Sequence, residues 1–225
     1  MIKIILLFLL LIPFQLDARV FARNQWIDFY LRDCNTIKPY RACKQNLEKA
    51  LGKMIQYRSM TFRYLDKEQL PKWFIVIPIV ESNYNKKATS PKGALGLWQL
   101  MPYNIAMYQT KKIVILNYKI IPTTEKIKKY GFDPESNTKM AVLHFRKLFE
   151  RYRDHKNAEQ LAIMAYNCGE SWVNSWLLGK SKLPDETQNY YNKIMAVKYI
   201  IRNMNRLGVE PVRKLTIVEK IKGLL

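Results

Sequence analysis

The run LPKWFIVIPIVES, residues 70–82, constrains this chain more than any other stretch. From Trp73 to Val80 every residue is apolar, so no face of the segment suits water. The rest of the chain must enclose it on all sides. Pro71 fits a first helical turn, and the pattern predicts a central buried helix that Pro78 kinks or loosens in its last turn. One carboxylate, Glu81, stands at its end. Burying a lone carboxylate is costly unless it is paired or keeps its proton. An apolar wall and the negative end of a helix both raise a carboxyl pKa. A protonated carboxyl in an apolar setting is what a glycosidase general acid requires. A helix-terminal glutamate pointing into water satisfies the same local sequence.

Helix signals recur along the chain. In DPESNTKMAVLHFRKLFERYR, Asp133 suits an N-cap, Pro134 the first helical position and Glu135 the first turn. Ala141, Phe145, Leu148 and Tyr152 then repeat at helical spacing. Asn157 with Gln160 three residues on forms a capping-box pattern, and Gly179 closes SWVNSWLLG. A further helix is expected from Pro184 to Gly208, and a long amphipathic one over RACKQNLEKALGKMIQYRSMTFRYL. Alternating strand patterns are scarce, so the fold class is all-α. Residues 111–122, KKIVILNYKIIP, read as either a hairpin or an extended loop. At 225 residues the chain suffices for one compact core and is too short for two large domains.

The net charge of +20, from 38 basic and 18 acidic residues, predicts attraction to a polyanion. Zinc-finger, basic-zipper and RNP-like patterns are absent, so nucleic acid is not the expected partner. The N-terminus carries Lys3, then an apolar core from Ile4 to Phe14. That is too short for a typical membrane span and suits a signal peptide. Val20-Phe21-Ala22 favours cleavage after Ala22, with Ala18 a second possibility and an uncleaved anchor the alternative. The expectation is therefore an exported protein, periplasmic or in the cell envelope, with no stable membrane span once the signal is removed. In an oxidising compartment Cys34 and Cys43 can pair across a short loop containing Pro39, leaving Cys168 over; three free thiols are the alternative. His144 and His155 are not metal-spaced, and neither a metal nor a cofactor is expected.

Four segments follow in order: ESNYN, SPKGALGLWQLMP, AYNCGESWV and LPDETQNYYNK. This set resembles the lytic transglycosylases of the goose-type-lysozyme-like group, the SLT domain. The WQ pair and the LPxET segment look most like the membrane-bound lytic transglycosylase D type. The resemblance covers roughly residues 65 to 200. It implies a lysozyme-like helical globule with a substrate cleft, acting on the MurNAc–GlcNAc bond of peptidoglycan. By position it implies Glu81 as the catalytic acid/base and Ser82 as a residue that orients it. Gln99 and Asn167 would bind sugar N-acetyl and hydroxyl groups, and the Tyr190 hydroxyl would reach the catalytic carboxylate. Tyr166, Glu186 and Thr187 would brace the cleft. Helix capping is the alternative for Gln99 and Asn167, and core packing for Tyr190. Cys168 and Trp98 depart from the commoner residues at their positions; Trp98 either stacks on a sugar or belongs to the core.

A mechanism with one carboxylate needs the substrate to supply the second group, as a 2-acetamido oxygen can. Glu81 would protonate the bridging oxygen and then take the proton of the sugar's 6-hydroxyl, which closes a 1,6-anhydro ring. A muramidase using water, and a non-catalytic wall-binding component of an envelope-spanning machine, are the rival readings. The expected organisation is a signal peptide at 1–22, a helical extension at 23–64, the catalytic domain at 65–205 and a short tail at 206–225.

Overall fold

The computed structural model describes residues 28–32, 40–109 and 125–212. The signal segment, Cys34, the ambiguous stretch at 111–122 and the end of the tail lie outside the described residues. Within them the chain is helical and forms no strand. Isolated bridges Thr89–Leu95 and Leu95–Leu100 occur inside one loop.

After a short helical stretch at 28–32 come α1 (Tyr40–Lys67), a 3-10 helix (Lys72–Val76) and α2 (Ile77–Ser82). Next are α3 (Pro102–Gln109), α4 (Glu125–Phe132), α5 (Pro134–Tyr152) and α6 (Ala158–Cys168). The last are α7 (Glu170–Leu177), α8 (Asp185–Arg202) and α9 (Met204–Leu207). The all-α expectation holds.

The apolar run lies at the centre, as its composition demands. Phe74, Ile75, Val76, Ile77 and Ile79 are all fully buried. Burying side chains of this size contributes roughly 1.5–3 kcal/mol each. The run is not one kinked helix, however. Pro78 has no N–H to give the Phe74 carbonyl, so the Ile77 N–H donates to it instead, over three residues. The chain therefore winds as a 3-10 helix up to Val76 and restarts as α-helix with Pro78 in the first turn.

The α5 start follows its sequence signals: Pro134 is the first helical residue, and the Asp133 side chain accepts from the Ser136 N–H at 2.8 Å. At α6 the N-cap is Asn157 but its side chain makes no capping bond, so the expected capping box is not formed. The helix expected from Pro184 to Gly208 breaks at Asn203 into α8 and α9, and Gly208 ends α9 in the left-handed conformation.

Two apolar clusters form the interior. The larger joins α1, the 3-10 helix, α2, α5 and α8; the smaller lies between α5, α6 and α7. Phe149, Tyr166 and Tyr191 touch both. Two expected boundaries do not separate anything physically. The one at 64/65 falls inside α1, whose Leu47, Leu51, Met54 and Leu65 belong to the larger cluster, and the one at 205/206 falls inside α9. Cys43, buried on α1, is disulfide-bonded, and Cys168 is a free thiol.

Candidate active site

Glu81 sits in the last turn of α2, on the rim of the most buried part of the molecule. Its side chain keeps some surface open, yet protein surrounds it closely enough to strip most of its hydration. That burial is the main cause pushing its pKa up to about 8. The Tyr190 hydroxyl donates to Oε1 of Glu81 and opposes the shift by favouring the ionised form, while the charge of Glu186 reinforces it. The expected role of the helix dipole is small, because α2 has only 6 residues. At neutral pH most of Glu81 is therefore protonated.

The backbone turns sharply after Glu81. Asn83 and Tyr84 both adopt left-handed φ, 50° and 54°, and Gln99 opposite them has φ 50°. Non-glycine residues in this region are uncommon and concentrate where geometry is functionally constrained. The Tyr84 side chain fixes the turn from below: it is buried and its hydroxyl donates to the Ile75 carbonyl at 2.6 Å.

The loop from Ala88 to Leu100 carries Gln99 and is held from two sides. Ser82 Oγ donates to the Leu97 carbonyl at 2.7 Å, so Ser82 ties α2 to the loop. It donates also to Pro78 within its own helix, and neither bond reaches the Glu81 carboxyl. Ser82 thus acts on the backbone around Glu81 and on the loop that faces it. From the other side comes Asn137 of α5, fully buried. Its Nδ2 donates to the Leu95 carbonyl at 3.1 Å and its Oδ1 accepts from the Trp98 N–H at 2.9 Å. Thr138 accepts from the Trp98 indole at 3.0 Å. Trp98 is fully buried and meets Phe145 edge-on, which settles it as a core residue.

Gly96 makes this grip possible. It has φ +79°, and a Cβ there would stand 2.0 Å from the Gly131 carbonyl oxygen. Asn137, Thr138 and Gly131 escaped the sequence reading. A signal was present: Asn137 lies one turn before Ala141 on the core stripe of α5, where a polar side chain must find buried partners.

Gln99 is not a helix cap. Its amide Nε2 donates to the Gly96 carbonyl at 2.8 Å and approaches that of Ala88 at 3.4 Å, which braces the loop and leaves Oε1 without a bond of this kind. On α6, Asn167 Oδ1 accepts from buried Thr187 on α8 at 2.8 Å. Thr187 is a clamp between the two helices, and the Asn167 amide nitrogen remains available. Tyr166 stacks on Phe145 with ring centroids 4.1 Å apart and donates to the Trp98 carbonyl at 2.7 Å. Burial holds the hydroxyls of Tyr166 and Tyr190 in the protonated state, well above the usual phenol range. Glu186 is exposed and pairs with Lys92 at 3.7 Å, so it braces nothing internally. His144 is neutral, its pKa lowered to about 4 by burial, and shares a hydrogen bond with the Tyr108 hydroxyl. Among the described residues no cluster of three or more His, Cys, Asp or Glu side chains could hold a metal ion.

The structure thus brings Glu81, Tyr190, Tyr166 and the Gln99 loop together, and joins Asn167 to the helix that carries Tyr190. A proton-holding carboxyl in a mostly apolar surround, with one phenol bonded to it, can donate a proton at neutral pH and take one back.

Comparison with known proteins agrees. A family model described as the transglycosylase SLT domain matches residues 60–189. The membrane-bound lytic murein transglycosylase D of Escherichia coli is 28% identical over 157 residues, covering 64% of this chain and 31% of that protein. The soluble lytic murein transglycosylase of the same organism is 26% identical over 191 residues, covering 80% and 27%. The chain spans less than a third of the length of either relative. Among solved structures, the 70 kDa soluble lytic transglycosylase of Escherichia coli has a TM-score of 0.50 at 24% identity, covering 72% of this chain and 26% of that one. An inactive mutant of the lytic transglycosylase Slt from Pseudomonas aeruginosa has a TM-score of 0.52 at 20% identity, covering 88% and 33%. These two likenesses speak for the fold. The family model spans more than half of the sequence, and with it the chain belongs to the transglycosylase SLT domain family.

Proposed function

We propose that this protein is a peptidoglycan lytic transglycosylase that cleaves the MurNAc-(β1,4)-GlcNAc bond and leaves a 1,6-anhydro-MurNAc end, with Glu81 as its single acid and base. The observation that carries the reading is the Glu81 carboxyl, protonated at neutral pH by burial and bonded to the Tyr190 hydroxyl. The nearest carboxylate acting on it, Glu186, is exposed and engaged with Lys92, which suits it poorly to be a nucleophile. The substrate must then furnish the second group.

The proposed steps use these groups in turn. Glu81 gives its proton to the bridging oxygen as the C1–O bond breaks, and the 2-acetamido oxygen stabilises the cation at C1. The Glu81 carboxylate, steadied by the Tyr190 hydroxyl, then takes the proton of the 6-hydroxyl as that oxygen bonds C1. The carboxyl ends protonated, ready for another turnover. Gln99 Oε1 and the Asn167 amide nitrogen are free to receive sugar hydroxyl or N-acetyl groups. The names of the relatives, murein transglycosylases both, support the substrate class.

Digestion of purified peptidoglycan tests this by mass. Fragments ending in 1,6-anhydro-MurNAc, one water lighter than hydrolysed ends, are expected. Reducing-end MurNAc alone would make the protein a muramidase, and no soluble fragments would favour a wall-binding component. The placement we propose is the cell envelope after removal of residues 1–22; among the described residues no helix is long and apolar enough to cross a membrane. N-terminal sequencing of envelope-fraction protein should begin near Arg23, and a chain still starting at Met1 would argue for an anchor.

A further inference from the structure

Outside the chemistry of the site, α7 turns an apolar face outward. Trp172 and Leu178 are left 49% and 69% exposed. They stand on one helix and its cap, about 9 Å of helical rise apart. The inward side of α7 accounts for its anchoring. Val173 is buried, Trp176 and Leu177 pack on the smaller cluster, and the Tyr152 hydroxyl of α5 donates to Asn174 Oδ1 at 3.2 Å. Ser171 and Ser175 complete the outward side, and from Ser171 to Gly179 no side chain carries a charge.

Backbone holds Leu178 out. The Lys180 N–H donates to the Ser175 carbonyl and the Gly179 N–H to the Trp176 carbonyl, both at 2.9 Å, with Gly179 at φ +68°. In this kind of cap the residue after the glycine commonly packs an apolar side chain back on the last turn. Here the two positions are Lys180 and Ser175, so no such contact covers the helix end. Leu178 projects from a rigid turn as a convex tip. The charges around the tip are basic. Lys180 and Lys182 follow it, both exposed. At the other end Glu170, the one acid of α7, is engaged by Lys147 and Arg151 of α5 at 3.1 and 3.8 Å. The next acids, Asp185 and Glu186, begin α8 beyond buried Leu183.

We infer that α7 docks on the surface of an anionic phospholipid bilayer, with Trp172 and Leu178 entering the boundary between headgroups and acyl chains and Lys180 and Lys182 meeting lipid phosphates. A second copy of a chain with net charge +20 would be repelled. A bilayer deforms around a convex tip, and tryptophan at the interface with lysines against anionic headgroups is the pairing it accepts. The contact lies on the surface and needs no spanning helix. One relative's name says membrane-bound and another's says soluble, so membership of the family leaves the matter open. The inference does not rest on the proposed reaction. It adds a place of work: α7 begins three residues after Asn167, so docking holds the site close to the bilayer.

Residues 4–14 are apolar as well, so the test must read α7 itself. The full chain is titrated with vesicles of phosphatidylglycerol and phosphatidylethanolamine whose acyl chains carry bromine, and quenching of tryptophan fluorescence is followed. Wild-type protein should show quenching that Trp172→Ser removes in large part. Leu178→Ser keeps the reporter and should need roughly tenfold more lipid for half of the effect. Lys180→Gln and Lys182→Gln should each need about fivefold more. Phosphatidylcholine vesicles should quench far less. The replaced side chains are exposed, and an unchanged melting temperature checks that the fold is kept. Equal quenching in wild type and Trp172→Ser, an unchanged lipid requirement in Leu178→Ser, or equal quenching by phosphatidylcholine would overturn the inference. Crosslinking from position 172 to one envelope protein, without quenching, would overturn it in favour of a protein partner. The release of anhydro ends is a separate measurement, and none of these outcomes bears on it.

Discussion

Glu81 shows at the scale of one residue how function and stability oppose each other. Its folded pKa of about 8 exceeds the ordinary 4.5, so between those values the folded protein holds a proton that the unfolded chain has released. Stability must then fall as pH rises through that window. Glu81→Gln keeps the shape and can still accept from Tyr190, yet carries no ionisable group. It should gain on the order of 2–3 kcal/mol at pH 7, seen as a higher melting temperature with a flatter pH dependence between about 4.5 and 8. On the proposed mechanism the same variant should lose about 10⁴-fold or more in anhydro-product formation, because one residue would supply both acid and base. A variant that is inactive and also no more stable than wild type would contradict the burial argument. The sequence made Glu81 legible because a carboxylate abutting eight apolar residues is a local conflict. The contact that Ser82 makes was not, since its partner, the Leu97 carbonyl, is 15 residues away and belongs to a loop without a periodic pattern.

At the scale of elements, caps and stripes named most helices, while the loop from Ala88 to Leu100 had to be seen. Its shape depends on α5 and α4, through Asn137 and the Gly96–Gly131 approach, and no local propensity encodes contacts 42 residues apart. Nor does composition distinguish one kinked helix from a 3-10 and an α segment; that difference turns on a single missing N–H at Pro78. Asn137→Ala would orphan the buried Trp98 N–H and leave the Leu95 carbonyl with only the bond from the Leu100 N–H, and should cost about 1–3 kcal/mol by denaturant unfolding. Hydrogen exchange should show lost protection across residues 88–100 beyond the global change. Gly96→Ala should be worse, about 3 kcal/mol or more, because its Cβ meets backbone that cannot swing aside. Equal protection of the loop in Asn137→Ala and wild type would show that the grip comes from elsewhere.

Across the whole molecule, on the proposed function, the net charge of +20 would act at a distance on a wall polymer that carries carboxylates. Screening lengths shrink from about 10 Å at 0.1 M salt to about 3 Å at 1 M, so the rate on peptidoglycan should fall steeply over that range while the melting temperature changes little. The folding unit is a separate matter, and it is larger than the family segment 60–189. Upstream, α1 places Leu47, Leu51 and Met54 in the main cluster. Downstream, α9 adds Met204 and Leu207, and the strand of chain after it returns to α1: Lys44 Nζ donates to the Gly208 carbonyl at 2.6 Å, and the Val212 N–H to the Glu48 carbonyl at 3.2 Å. Val209, buried to 2% exposure, is pinned beneath this crossing. Removing residues before 60 and after 189 uncovers large apolar side chains of the 3-10 helix and α2, which α1 and α8 otherwise cover. Each lost leucine-sized contact costs about 2–5 kcal/mol, and the stability of a whole domain is only about 5–15 kcal/mol. A 60–189 fragment should therefore fail to unfold cooperatively and bind a hydrophobic dye, whereas 40–212 should melt in one transition. A cooperative 60–189 fragment with full near-ultraviolet dichroism would show that both flanks are dispensable to the core.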